Sequence, residues 1–83
     1  MTYTLHHLAA GSYDLALDGV LVGSVVREVT AGGNTTGWCA ELFEDLPAEK
    51  RPRPFDYVMH HFPTLEATTA WLGGAQILFS AAA

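Results

Sequence analysis

The sequence predicts an α+β fold: an antiparallel β-sheet meander with one short C-terminal helix packed on one face, in a single domain over residues 1–83. Three observations carry that expectation. Apolar and polar side chains alternate with period two early in the chain, Asp18-Gly19 separates two such runs, and the only helix-like pattern comes late, between Pro63 and Gly74. With 83 residues, 49% of them apolar, the chain holds one modest core and has no room for a second domain. Roughly 0.05–0.15 kcal/mol per residue implies a total stability of about 4–12 kcal/mol, which leaves little for a strained, preorganised catalytic site.

Tyr3 to Leu8 reads as a first strand. Tyr13-Asp14-Leu15-Ala16-Leu17 alternates cleanly, and Asp18-Gly19 is a type I′ turn sequence, because both central positions need positive φ. A two-residue turn puts Leu17 opposite Val20, Leu15 opposite Val22, Tyr13 opposite Ser24 and Gly23 opposite Asp14, where the glycine marks a bend. On that register Tyr13, Leu15, Leu17, Val20, Val22 and Val26 form the core face, with Asp14, Ala16, Leu21, Val25 and Arg27 on the other.

Residues 30–37 hold three glycines and no large apolar side chain, so they read as a flexible, disordered hairpin loop. Trp38 to Glu44 alternates again, with Trp38, Ala40 and Leu42 facing the core. Residues 45–54 contain three of the four prolines and three of the four basic residues, so they form a loop in which neither ladder nor helix runs. Phe55 to Phe62 reads as a further strand. The helix starts at Thr64 as N-cap, has Glu66 in its first turn, buries Leu65, Thr68 or Thr69, and Leu72 beside Trp71, and stops at Gly73-Gly74. Residues 75–80 suit either a last strand or a second short helix.

Nine Asp and Glu against four Lys and Arg give a charge of −5, which disfavours direct binding to DNA or RNA. No apolar run approaches the roughly 20 residues of a membrane-spanning helix. A single cysteine, Cys39, and the absence of a leader-like start point to the cytoplasm. His6-His7 and His60-His61 cannot each chelate one ion, because strand neighbours point to opposite faces; a site would need one histidine from each strand and a third ligand such as Cys39 or Asp56. The expectation is therefore no metal, with one histidine of each pair packed at the sheet margin and the other solvated. Cys39 shares its strand face with Glu41, which disfavours a thiolate nucleophile. Neither Gly32-Gly33 nor Gly73-Gly74 has the spacing of a phosphate-binding loop. No catalytic residues and no cofactor are expected.

The charge layout is the informative feature. Outside residues 49–54 there are eight acidic residues and one base, Arg27. Asp14, Asp18, Glu28, Glu41, Glu44 and Asp45 are the candidate partner-binding residues, an acidic surface suited to a basic partner. Phe43, Phe55 or Tyr57 would supply an aromatic anchor. Two plainer accounts exist: a solubilising surface with no basic partner, and a basic loop folded back onto the acids. Exposed sheet edges allow a monomer or a weak homodimer.

Met1 to Gly19, with Gly37-Trp38-Cys39-Ala40-Glu41-Leu42 and the stretch from Phe62 to Gly73, resembles the small phage- or mobile-element-encoded anti-CRISPR proteins that inhibit type I-C systems. That resemblance implies a non-enzymatic inhibitor that binds the multi-subunit, RNA-guided surveillance complex (Cascade) and keeps target DNA from engaging. It brings no active-site residues with it. Strands followed by Phe62 and the Thr64-Leu65-Glu66-Ala67 helix start also look like antitoxin domains of HicB type, which cover a small RNA-cleaving toxin. Those domains usually set the helix between strands and often carry a DNA-binding segment, for which no basic helix is present here. A structural phage accessory protein is a third expectation.

Overall fold

The structure is a computed structural model and describes residues 1–79. The strands are β1 (Tyr3–Ala9), β2 (Ser12–Leu17), β3 (Val20–Val29), β4 (Thr35–Leu42), β5 (Met59–Phe62) and β6 (Gln76–Phe79), with one helix, α1 (Leu65–Trp71). They form one six-stranded sheet in the order β5-β4-β3-β2-β1-β6. The first five strands make the expected antiparallel meander, and α1 then leads the chain to the far edge, where β6 runs parallel to β1. Residues 76–79 are thus a strand, while residues 80–83 lie outside the described residues.

The helix side of the sheet is built from aligned rows. Ile77, Leu5, Leu15, Gly23 and Leu42 are mutual cross-strand partners, and so are Phe79, His7, Tyr13, Val25, Ala40 and His60. Leu5, Leu15, Val25 and Ala40 are fully buried, and Thr68 of α1 and its C-cap Leu72 close over them. Thr64 caps the helix as expected, its hydroxyl accepting from the Ala67 N–H at 3.0 Å. Thr68 is the inward threonine, and its hydroxyl donates to the Thr64 carbonyl, so the buried polar atom is satisfied.

The expected register of the first hairpin holds at Leu17–Val20 and Ala16–Leu21 and then slips by one. Ala16 pairs with Leu21 and Leu15 with Gly23, leaving Val22 as the extra residue of a β-bulge. Past it Tyr13 faces Val25 rather than Ser24, and the face assignments of β3 invert. Val25 is core and Val26 is not; Val20 is 64% exposed; Arg27 belongs to the helix side, opposite Trp38, and Glu28 to the other. Gly23 therefore sits opposite Leu15, not Asp14. The cause is close approach of β4: a Cβ at Gly23 would lie 2.1 Å from the Glu41 carbonyl oxygen, so only glycine fits this row.

Three loop expectations are corrected. The β3–β4 connection is only residues 30–34, closed by Thr30 N–H to the Asn34 carbonyl at 2.8 Å and Asn34 N–H to the Thr30 hydroxyl at 3.2 Å, while residues 35–37 belong to β4. The proline loop carries one 3-10 turn, Ala48–Lys50, seated after Pro47. Phe55 does not begin a strand; it is buried against Tyr3 and Trp71, with ring centroids 6.1 and 4.8 Å away, and pins the loop to the helix side of the sheet. The Tyr3 hydroxyl adds a second pin by donating to the Arg53 carbonyl.

Gly23→Ala is expected to cost about 1–3 kcal/mol through overpacking against immovable backbone, read as a lowered thermal midpoint; an unchanged midpoint would refute the close approach. The Tyr3 hydroxyl is pushed up from 10.0 to about 12, mainly by burial and then by Asp18. As pH rises past 10.0 the unfolded chain loses this proton first, so folding stability should fall until pH about 12. Urea titrations of Tyr3→Phe should lack that component of the alkaline loss.

Candidate functional site

Among the described residues, one face of the sheet has no helix over it. Its central row crosses all six strands as Leu78, His6, Asp14, Ser24, Glu41 and Met59, and a shorter row holds Ser12, Val26, Cys39 and His61. At about 4.8 Å per strand, Asp14 and Glu41 stand about 10 Å apart with only Ser24 between them. Glu28 extends the acidic positions toward the β3–β4 turn, its carboxylate 2.8 Å from Nδ1 of His61.

The other candidate acids mark the opposite end. Asp18 sits at the tip of the β2–β3 hairpin and accepts from the Thr2 N–H at 2.7 Å. Glu44 and Asp45 follow β4 at that same end, where the Phe43 N–H bonds the Val22 carbonyl. The six candidates therefore run from end to end: Asp18, Glu44 and Asp45 at the hairpin end, Asp14 and Glu41 in mid-face, Glu28 beyond. They do not form one tight cluster.

No lysine or arginine lies in these two rows. Arg27 points to the helix side against Gly11, and Lys50, Arg51 and Arg53 ride on the proline loop held there by Phe55 and Tyr3. Arg51 spends its guanidinium on the Asp56 carbonyl at 2.7 Å. Among the described residues both carboxylate pairs use histidine, Asp56 with His60 and Glu28 with His61, and none uses Lys or Arg. The basic loop does not fold back onto the acids.

The histidine pairs divide between the faces. His7 packs on Tyr13 and Phe79, and His60 among Phe55, Phe62 and Trp71, while His6 and His61 face the open side. With β2, β3 and β4 between them, His6 and His61 cannot share an ion, and among the described residues no group of three His, Cys, Asp or Glu could hold one. Cys39 is buried between the acids; burial first, then Glu28 and Glu41, push its thiol up. Of the proposed anchors, Phe55 is core, whereas Tyr57 and Phe43 are exposed. Phe43 lines an apolar groove of about 240 Å³ with Val20, Leu21, Leu42 and Glu44, which joins an aromatic ring to a carboxylate. Sequence reasoning missed His61 as the partner of Glu28, because their contact spans two strands 33 residues apart.

Comparison with protein-family models, with curated proteins and with solved structures finds no match for the chain. Among the described residues no helix is long and apolar enough to cross a membrane.

The raised Cys39 thiol should stay protonated at pH 8, so alkylation by iodoacetamide should be on the order of tenfold slower than in the urea-unfolded chain. Comparable rates in the two states would contradict its setting.

Proposed function

We propose that this chain is a non-enzymatic anti-CRISPR inhibitor that binds the type I-C surveillance complex through its open, acidic sheet face and blocks target DNA binding. The observation that carries the proposal is the separation of charge: Asp14, Glu28 and Glu41 occupy the helix-free face, while all four basic residues lie on the other side or on its loop. A complex that holds target duplex must present Lys and Arg, and rigid carboxylates pair with guanidinium groups as phosphates do.

Single exposed pairs contribute only about 0.2–1 kcal/mol, so several must act together. Phe43 beside Glu44 provides a contact at the hairpin end, since an arginine can stack on the ring and pair with the carboxylate at once. The remaining face is mixed rather than uniformly charged, with Leu21 and Met59 exposed, and this composition suits a protein surface better than bare counter-ions.

A second proposal rests on the helix lying between β5 and β6, the arrangement usual in HicB-type antitoxin domains. There the same face would cover a small basic toxin.

Titration of purified type I-C complex with the protein should abolish binding of target duplex. Charge reversal of Glu41, Glu44 and Asp45 to lysine should weaken inhibition about tenfold or more, with the larger loss at low salt. Alanine at Lys50, Arg51 and Arg53 should leave it intact. Full target binding in excess wild-type protein would overturn the inhibitor reading, and capture of a small RNA-cleaving toxin instead would establish the second.

A further inference from the structure

The outer edge of β6 is an unguarded strand edge. Among the described residues no strand lies beyond it, and no backbone partner is found there for the groups on that side. Gln76-Ile77-Leu78-Phe79 contains no charge and no proline, its pairing with β1 has no bulge, and Phe79 is 68% exposed. Charge, proline and bulges are the devices that ordinarily keep edges from pairing. The other edge, β5, is better protected: His60 and His61 lie within it and Pro63 follows it.

We propose that β6 pairs antiparallel with β6 of a second copy of this chain, centred on Leu78, to form a continuous twelve-stranded sheet in a weak homodimer. Charge selects the occupant. Each copy carries −5, yet neither β1 nor β6 contains an acid, and the nearest acidic strand residue is Asp14 on β2. Across the proposed junction the two Asp14 residues stand five strand spacings apart, about 24 Å. That is about three Debye lengths at 0.15 M salt, so the copies meet where their mutual repulsion is least.

Symmetry selects the register. Antiparallel partners share a sheet face, so a two-fold axis through Leu78 sets Leu78 against its own copy on the open side. On the helix side it sets Ile77 against Phe79, covering the exposed ring with a β-branched partner. Both helices then lie on one side and both acidic faces on the other. Four-residue strands bury far less than the roughly 1,200 Å² of a stable interface, so association is weak and concentration-dependent. The inference does not rest on the inhibitor proposal.

Sedimentation equilibrium of the whole chain should show a dimer fraction that grows with concentration, and Phe79→Lys, checked for folding by circular dichroism, should be monomeric. Paired strand residues have Cα atoms about 4.5–5.5 Å apart, within the range a disulfide spans. Cys39→Ser/Leu78→Cys should therefore oxidise to a covalent dimer at least tenfold faster than Cys39→Ser/Met59→Cys, which tests the β5 edge. A wild-type chain that stays monomeric at millimolar concentration, or equal oxidation at the two edges, overturns the proposal.

Discussion

The arrangement of charge on this molecule depends on one extra residue, Val22, and on the glycine after it. The β4 backbone passes so close to Gly23 that no side chain fits, and the ladder absorbs the mismatch as a bulge. Because side chains alternate with period two, a slip of one residue exchanges the faces of everything beyond it. Without the slip Arg27 would stand on the same open face as Asp14, and Glu28 would point toward the core. With it, Arg27 goes to the helix side and Glu28 reaches His61. A packing constraint in the backbone thus sorts the charges of β3.

The second determinant is the tethering of the proline loop. Three of the four basic residues lie in it, and a mobile loop of that composition would be drawn to the nearest carboxylates. Phe55, buried against Tyr3 and Trp71, and the Tyr3 hydroxyl on the Arg53 carbonyl hold it on the helix side instead. Burying an aromatic ring contributes on the order of 1.5–3 kcal/mol, more than the roughly 0.2–1 kcal/mol of an exposed ion pair. Apolar packing therefore outweighs the attraction between arginines and acids, and leaves the open face unneutralised.

These magnitudes explain what the sequence made legible. The α+β class, the Asp18-Gly19 turn, the Trp38-Ala40-Leu42 core face and the Thr64 cap are local patterns, and each appears where its pattern put it. The register of β3 was not legible, because Gly23 signals only that something is close and not that the something is the Glu41 carbonyl two strands' worth of sequence away. Phe55 reads as strand because it opens a loosely alternating run up to Phe62, yet its role is a long-range contact with α1. Of the site, the acids were visible by composition. Their division into a mid-face group and a hairpin-end group, and the Glu28–His61 contact, needed strand order and register.

Segregation of charge has a consequence larger than any single ion pair. The open face holds Asp14, Glu28 and Glu41 with no Lys or Arg, while the helix side and its loop hold all four bases together with Glu49, Asp56 and Glu66. The chain therefore carries a dipole with a component along the sheet normal in addition to its net charge of −5. The net charge draws it toward a basic surface, and the dipole turns it so that the open face arrives first. Steering of this kind raises association rates and is screened within about 8 Å at physiological salt, whereas the time spent bound depends on short-range contacts such as Phe43 in its groove. In the proposed inhibitor the two tasks therefore fall to different residues: Asp14, Glu28 and Glu41 govern how often the face is presented, and the apolar end of the sheet governs how long it stays.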